Sequence, residues 1–273
     1  MRASGLPCEI RETTEGKDAG EIAREARDEG CTEIVVAGGD GTVMAVVNGL
    51  GASSGVTLGI VPTGTANLLA AGLGLPKDLD EAVRVALTGE ARTLDLGLCE
   101  GRLFALGMGL GLTERFVTEA SPEIKHALGR FAYVLSLLKE LGARPHRFRL
   151  TLDGGRTIED RGVALVIANL GSLGGAMRFA PDARPDDGIL DVCVLRRFRL
   201  RDAAHLLLSL LRKDLKHDRA LAFHRARRIE FTAAPPLAAQ LDGDAVDVAT
   251  PIVVEVVPSA LAVRVLSKAD TGV

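Results

Sequence analysis

Twice within the first seventy-odd residues a β-branched run ends in a glycine–threonine turn and passes straight into a helix pattern. The first instance is "EIVVAGGDGTVMAVV" at 33–47 and the second is "VTLGIVPTGTANLLAAG" at 56–72. A short, continuous apolar run bounded by turn residues is what a strand buried on both faces looks like. Two such strands with a helix between them imply a parallel pair joined by a crossover. The flanking segments agree. "DAGEIAREARDEG" places Ile22, Ala23 and Ala26 on one helical face and ends at Gly30, and "DLDEAVRVALTG" is an amphipathic helix capped by Asp78 or Asp80. "CEIRET", residues 8–13, is expected as a short strand before them.

After about Ala91 the pattern changes. "TLDLGL", "RLFALGMG", "RFRLTLD", "RTIEDRGVALVIAN", "ILDVCVL", "RRIEFTA" and "PIVVEVV" are strand-like and separated by turns. Two helical stretches interrupt them, at 126–141 and 200–215. The expectation is an α/β nucleotide-binding lobe over 1–91 followed by an antiparallel β-sandwich lobe over 92–258, with 259–273 packing back on the first lobe. No low-complexity linker separates the halves, so two packed lobes with a cleft between them are expected.

Composition narrows the function classes. The chain has 273 residues and a net charge of −3, so no basic field points to nucleic acid. Cys8, Cys31, Cys99 and Cys193 are scattered without a CxxC pair or a histidine partner, which argues for reduced cytoplasmic thiols over zinc or redox chemistry. No charged-then-apolar leader is visible, and no apolar run reaches the roughly 18 residues of a membrane span. Tryptophan is absent and Tyr133 is the one tyrosine, so stacking platforms for bases or sugars are not expected. The five histidines show no ligand spacing. The basic "RRFRLRD" at 196–202 reads as a solvated helix start, with contact to anionic lipid as the rival, and "HALGRFAYVLSLLKEL" reads as a core-packing helix.

The turns themselves carry the chemistry. A parallel strand presents its carboxyl end at the ligand crevice, and glycines there let backbone approach a phosphate closely. Thr42 can cap the helix or donate to a phosphate oxygen. Asp40 would repel phosphate unless it served a metal ion or a ribose hydroxyl, so the pattern suggests a nucleotide with a metal. The other reading of the same residues is a tight turn whose aspartate only caps. "RPDDGILDV" at 184–192 offers Arg184 and Ile189 carbonyls with the Asp187 carboxylate, an oxygen set that suits Mg²⁺. "QLDGDAV" sets Asp242 and Asp244 either side of a glycine turn, where one acid could accept an alcohol proton and the other orient it.

Taken in order, "GGDGT", "PTGTANLLAAGLGLP", "RFAPDARPDDGILDVCVL" and "QLDGDAV" resemble the diacylglycerol kinase catalytic-domain family of bacterial lipid kinases, with sphingosine kinases and NAD kinases as more distant relatives. The resemblance covers nearly the whole chain. It implies an active site between two lobes, ATP as phosphoryl donor and a lipid hydroxyl as acceptor. It places ATP on Gly38, Gly39, Asp40, Gly41, Thr42, Val43 and Met44, on Gly64, Thr65 and Asn67 of the second turn, and on Thr13. Asp95 falls where the family has an acid that organises metal water. A structural Mg²⁺ falls on Arg184, Asp187 and Ile189, and the proton acceptor on Asp244, where the family carries Glu.

Two departures stand out. The family opens with a strand and an Asn-Pro-x-Ser-Gly phosphate loop, whereas here "MRASGLP" leads directly into what reads as the second strand, so a fragment, a misassigned start or natural degeneration is expected. Leu68 stands where many members have Asp. The implied function is an ATP- and Mg²⁺-dependent kinase of diacylglycerol or a related lipid, reached at the inner membrane face from the cytoplasm. A homodimer is left open. The rivals are an NAD kinase-like enzyme and an inactive nucleotide-binding remnant.

Overall fold

The computed structural model describes residues 8–111, 145–173, 177–178, 180, 182–196, 218, 220–235, 237–248 and 250–267. The helices expected at 126–141 and 200–215 lie outside them. The chain divides into two compact units, Met1–Leu96 with Pro258–Val273, and Gly97–Val257.

The first unit contains α1 (Ala19–Asp28), β1 (Glu33–Gly38), α2 (Asp40–Leu50), β2 (Thr57–Pro62), α3 (Leu68–Gly72), α4 (Leu79–Thr88) and β3 (Glu90–Cys99) as far as Leu96. α1 opens with a capping box. Glu21 N–H donates to Asp18 Oδ1 at 2.8 Å and Asp18 N–H to Glu21 Oε2 at 3.4 Å, which satisfies two orphan amides reciprocally. Its small face lets α2 come unusually near, since a Cβ on Gly49 would stand 2.1 Å from the Gly20 carbonyl oxygen. β1 and β2 pair in parallel from Glu33↔Thr57 to Gly38↔Pro62. Val36, Leu58, Ile60 and Val61 are buried.

Residues 8–13 form no strand, against the expectation for "CEIRET". Ile10 is 69% exposed, and β1 has β2 as its one strand neighbour among the described residues. An isolated extended segment has no ladder to satisfy its amides, so alternation alone does not make it a strand.

The second unit continues with β4 (Arg102–Phe104), β5 (Gly107–Leu110), β6 (His146–Leu152), β7 (Arg156–Gly162), β8 (Ala164–Ala168), β9 (Ser172–Leu173), β10 (Met177–Arg178), β11 (Leu190–Leu195), β12 (Leu221–Ala226), β13 (Arg228–Ala234), β14 (Ala239–Leu241), β15 (Asp244–Val246) and β16 (Ile252–Val265) as far as Val257. One antiparallel sheet runs β12-β11-β8-β5-β14-β15. Facing it, β7 pairs β6, β6 pairs β13, and β13 pairs the first half of β16. Phe148, Leu150, Ile229 and Phe231 pack against Met108, Ile167, Val192 and Val194 in one core, as in a sandwich of two sheets. In the first unit the later residues of β16 return, Ala262 and Val263 pairing in parallel with Thr57 and Leu58 of β2. No described helix is long and apolar enough to cross a membrane.

Candidate functional site

Both glycine turns of the first unit lie where their parallel strands end, Gly38 opposite Pro62. The turns touch backbone to backbone. A Cβ on Gly64 would sit 2.4 Å from Gly39 Cα, and one on Gly39 3.2 Å from Gly64 Cα. A side chain at Gly64 would collide with backbone, whereas one at Gly39 would be a tight contact. The Thr42 side chain folds back over Gly38, where a Cβ would be 2.6 Å from Thr42 Cβ.

Asp40 answers why a carboxylate stands among these glycines. It is the first residue of α2, yet it caps a different helix. Its Oδ2 accepts from Leu68 N–H at 2.9 Å and its Oδ1 from Leu69 N–H at 3.0 Å, the opening amides of α3. The Asp40 carboxylate thus ties the first turn to the second, and a negative charge there suits the α3 dipole. Asn67 closes the second turn on itself. Its Nδ2 donates to Gly64 O at 2.7 Å, its Oδ1 accepts from Gly64 N–H at 3.0 Å, and its backbone is left-handed at φ 48°. Gly41, Gly64 and Thr65 are exposed beside this seam. The start of α2 has no side-chain cap, which leaves its opening amides without a side-chain acceptor from the N-cap.

Other expected residues sit differently. Val43 and Met44 turn their side chains into the core, and Val43 N–H is already donated to Gly39 O, so neither offers a side chain to a ligand. Thr13 is exposed in the irregular segment before α1, and among the described residues no hydrogen bond ties it to the two turns. Asp95 is buried in β3 and its Oδ1 accepts from Ser259 N–H at 2.8 Å, which fixes a left-handed residue (φ 49°) of the returning strand.

In the second unit the Leu241–Asp244 turn separates its two acids. Asp242, left-handed at φ 50°, accepts from Ala105, Leu106 and Gly107 N–H at 2.7, 2.8 and 2.9 Å. It grips the bend between β4 and β5. Asn169, which the sequence did not single out, grips the same bend by donating to Ala105 O at 2.9 Å from a fully buried position. Its signal is a polar residue closing the apolar run "ALVIAN". Asp244 opens β15 with its side chain two-thirds exposed and Arg102 Nη2 at 3.8 Å.

The 184–192 turn gathers acids around one guanidinium. Asp187 Oδ1 accepts from Ile189 N–H at 3.2 Å, and its Oδ2 pairs with Arg225 of β12. Arg225 Nε lies 3.4 Å from Asp191 Oδ1. Asp191 is buried with Oδ2 unpartnered among the described residues, and that burial pushes its carboxyl up from the usual range while Arg225 pulls it down. Neither Asp191 nor Arg225 was expected from sequence; they meet because β11 and β12 pair at Asp191↔Arg225. No group of three His, Cys, Asp or Glu converges as a metal cage among the described residues. The orphan Asp191 oxygen beside Asp187 nonetheless fits a hard cation, for which Arg225 is the built-in competitor.

Two family models match the chain. Residues 1–99 match the family model "Diacylglycerol kinase catalytic domain", and residues 110–265 match "YegS C-terminal NAD kinase beta sandwich-like domain". A protein of Chromohalobacter salexigens named "Probable lipid kinase YegS-like" is 34% identical over 89% of this chain and 79% of its own. A Bacillus subtilis protein named diacylglycerol kinase is 30% identical over 88% and 80%. Among solved structures, a diacylglycerol kinase from Bacillus anthracis superposes with a TM-score of 0.75 at 24% identity, covering 95% of this chain and 85% of that one. An NAD kinase from Archaeoglobus fulgidus in complex with ATP gives 0.54 at 17%, covering 90% and 81%, a likeness of fold. On two family models and relatives matched across most of their length, the chain belongs to the family of diacylglycerol kinases and YegS-type lipid kinases.

Proposed function

We propose that the chain transfers the γ-phosphoryl group of ATP to a hydroxyl of diacylglycerol or a related lipid. The observation that carries the reading is the seam between the two glycine turns, where backbone meets backbone at Gly39 and Gly64 and Asp40 locks the turns together. Phosphoryl transfer asks a protein mainly for positioning and charge stabilisation. Backbone amides at the start of α2, with Gly41, Thr42, Gly64, Thr65 and Asn67 beside them, would hold the phosphates. Asp40 serves that element as its brace, so its carboxylate is neutralised by two amides instead of facing phosphate.

The lipid hydroxyl oxygen attacks the γ-phosphorus, the bond to the β,γ-bridging oxygen breaks, and ADP leaves with that electron pair. The hydroxyl proton goes to Asp244, whose carboxylate is exposed and weakly engaged. Asp242 positions the turn. Mg²⁺ would be held by Asp187 with the carbonyls of Arg184 and Ile189, and bound there it supplies structural charge neutralisation. Thr13 and Asp95 keep the roles the family resemblance gives them.

Purified protein incubated with γ-labelled ATP, Mg²⁺ and diacylglycerol in neutral detergent micelles should yield labelled lipid. Labelled NADP⁺ from NAD⁺ with no labelled lipid would establish the NAD kinase reading instead. ATP binding without turnover on either acceptor would leave a nucleotide-binding protein.

A further inference from the structure

The outward face of β6, β7 and β13 sets like charge against like charge. Arg147 of β6 pairs across the ladder with Arg161 of β7 and, on its other side, with Ala234 of β13. One row along, Thr232, Arg149 and Glu159 stand abreast. Directly opposed side chains in an antiparallel pair lie close enough for like charges to destabilise it. The nearby acids are already engaged. Glu159 Oε1 accepts from Arg149 at 3.0 and 2.6 Å, and Asp160 accepts from Arg196 Nε at 2.7 Å and from Arg161 N–H at 2.8 Å. Arg147 and Arg161 are both exposed, and among the described residues neither guanidinium has a hydrogen bond or ion pair. With the small Ala234 beside Arg147, these side chains frame an open depression of about 500 Å³.

We propose that this face docks the phosphate-bearing headgroups of an anionic bilayer. Two guanidinium forks match phosphate oxygens in geometry as well as charge, and a phosphate between them would relieve their repulsion. The site is open to solvent, where salt screens a single small anion. A bilayer instead offers many phosphates at fixed density together with a negative surface potential. The chain as a whole carries −3, so general attraction cannot substitute for a local patch. The proposal rests on the lipid-kinase reading only for its use, which is to bring the enzyme to a substrate held in a membrane.

The test is co-sedimentation with phosphatidylcholine vesicles containing phosphatidylglycerol at moderate salt. Wild type should bind, and R147Q/R161Q should bind about thirtyfold more weakly, at roughly fivefold of salt-sensitive attraction per arginine. Arg149→Gln should lose less, because Arg149 is already paired with Glu159. Arg84→Gln, on α4, should bind like wild type. Native far-UV circular dichroism and an unchanged melting temperature certify the double variant. Equal vesicle binding by wild type and R147Q/R161Q would overturn the proposal. So would binding of inorganic phosphate with no vesicle binding, which would mark a free-anion site. Activity on lipid in neutral micelles should be the same in both proteins, and a loss there would place the arginines in the reaction and overturn docking. Absence of kinase activity in wild type would defeat the proposed function while leaving the vesicle result to decide this inference.

Discussion

The GGDGT turn of the first unit and the LDGD turn of the second are alike in sequence and opposite in construction. In each, an aspartate next to glycine spends its oxygens on backbone amides of another segment. Asp40 takes two, at the start of α3, and Asp242 takes three, in the bend between β4 and β5. What remains differs. Around Asp40 it is backbone: two glycine turns in contact and a helix start without a side-chain cap. Beside Asp242 it is a second acid, Asp244, exposed and held only loosely by Arg102. An acid in a glycine turn is thus first a fastener, and the group left for chemistry is whatever the fastener presents.

The largest expected effect breaks the stronger fastener. Asp242→Ala leaves three amides without their acceptor and should cost about 4 kcal/mol of unfolding free energy, read from urea denaturation. A cost no greater than that of an exposed substitution would mean the three bonds contribute nothing net. Next is Gly64→Ala, which forces a Cβ against Gly39 Cα. Because the obstacle is backbone, the change should cost about 2 kcal/mol and weaken ATP binding by calorimetry; unchanged affinity would separate the seam from the nucleotide. Asp40→Ala removes one cap from α3 and should cost about 1.5 kcal/mol, again with weaker ATP binding. The smallest effect concerns Arg225. If it competes with a cation for Asp187, Arg225→Met should enlarge the rise in melting temperature produced by Mg²⁺, and Asp187→Asn should abolish that rise. Identical shifts in wild type and both variants would remove the cation from this turn.

Much of this was legible in the sequence because it depends on local chain chemistry. Buried β-branched runs and the glycines after them specify strands that end in tight turns, and the facing backbone leaves no room for a side chain at Gly64. Alternation of inward and outward residues announced strands such as β6 and β13, and continuous apolar runs announced β8 and β11. "CEIRET" misled because alternation describes a strand only when a neighbour supplies the ladder. Val43 and Met44 entered with the backbone of the turn through the family resemblance, and within α2 their side chains face the core. Asp191, Arg225 and Asn169 were not legible for a different reason. Each acquires meaning from a partner 34 or more residues away, through the β11–β12 register or the 105–107 bend, and nothing in their own neighbourhoods announces it.

The account turns on the division of labour between Asp242 and Asp244, so the most direct measurement is kcat and the urea midpoint on the same two proteins, Asp242→Asn and Asp244→Asn. A general base typically contributes roughly 10²–10⁴-fold. Asp244→Asn should therefore lose about that factor in kcat with an unshifted midpoint, since exposed substitutions usually stay within about 0.5 kcal/mol, while Asp242→Asn should lower the midpoint and lose rate only as far as it loses folded protein. Full kcat in Asp244→Asn, with the rate lost instead in a stably folded Asp242→Asn, would contradict the account.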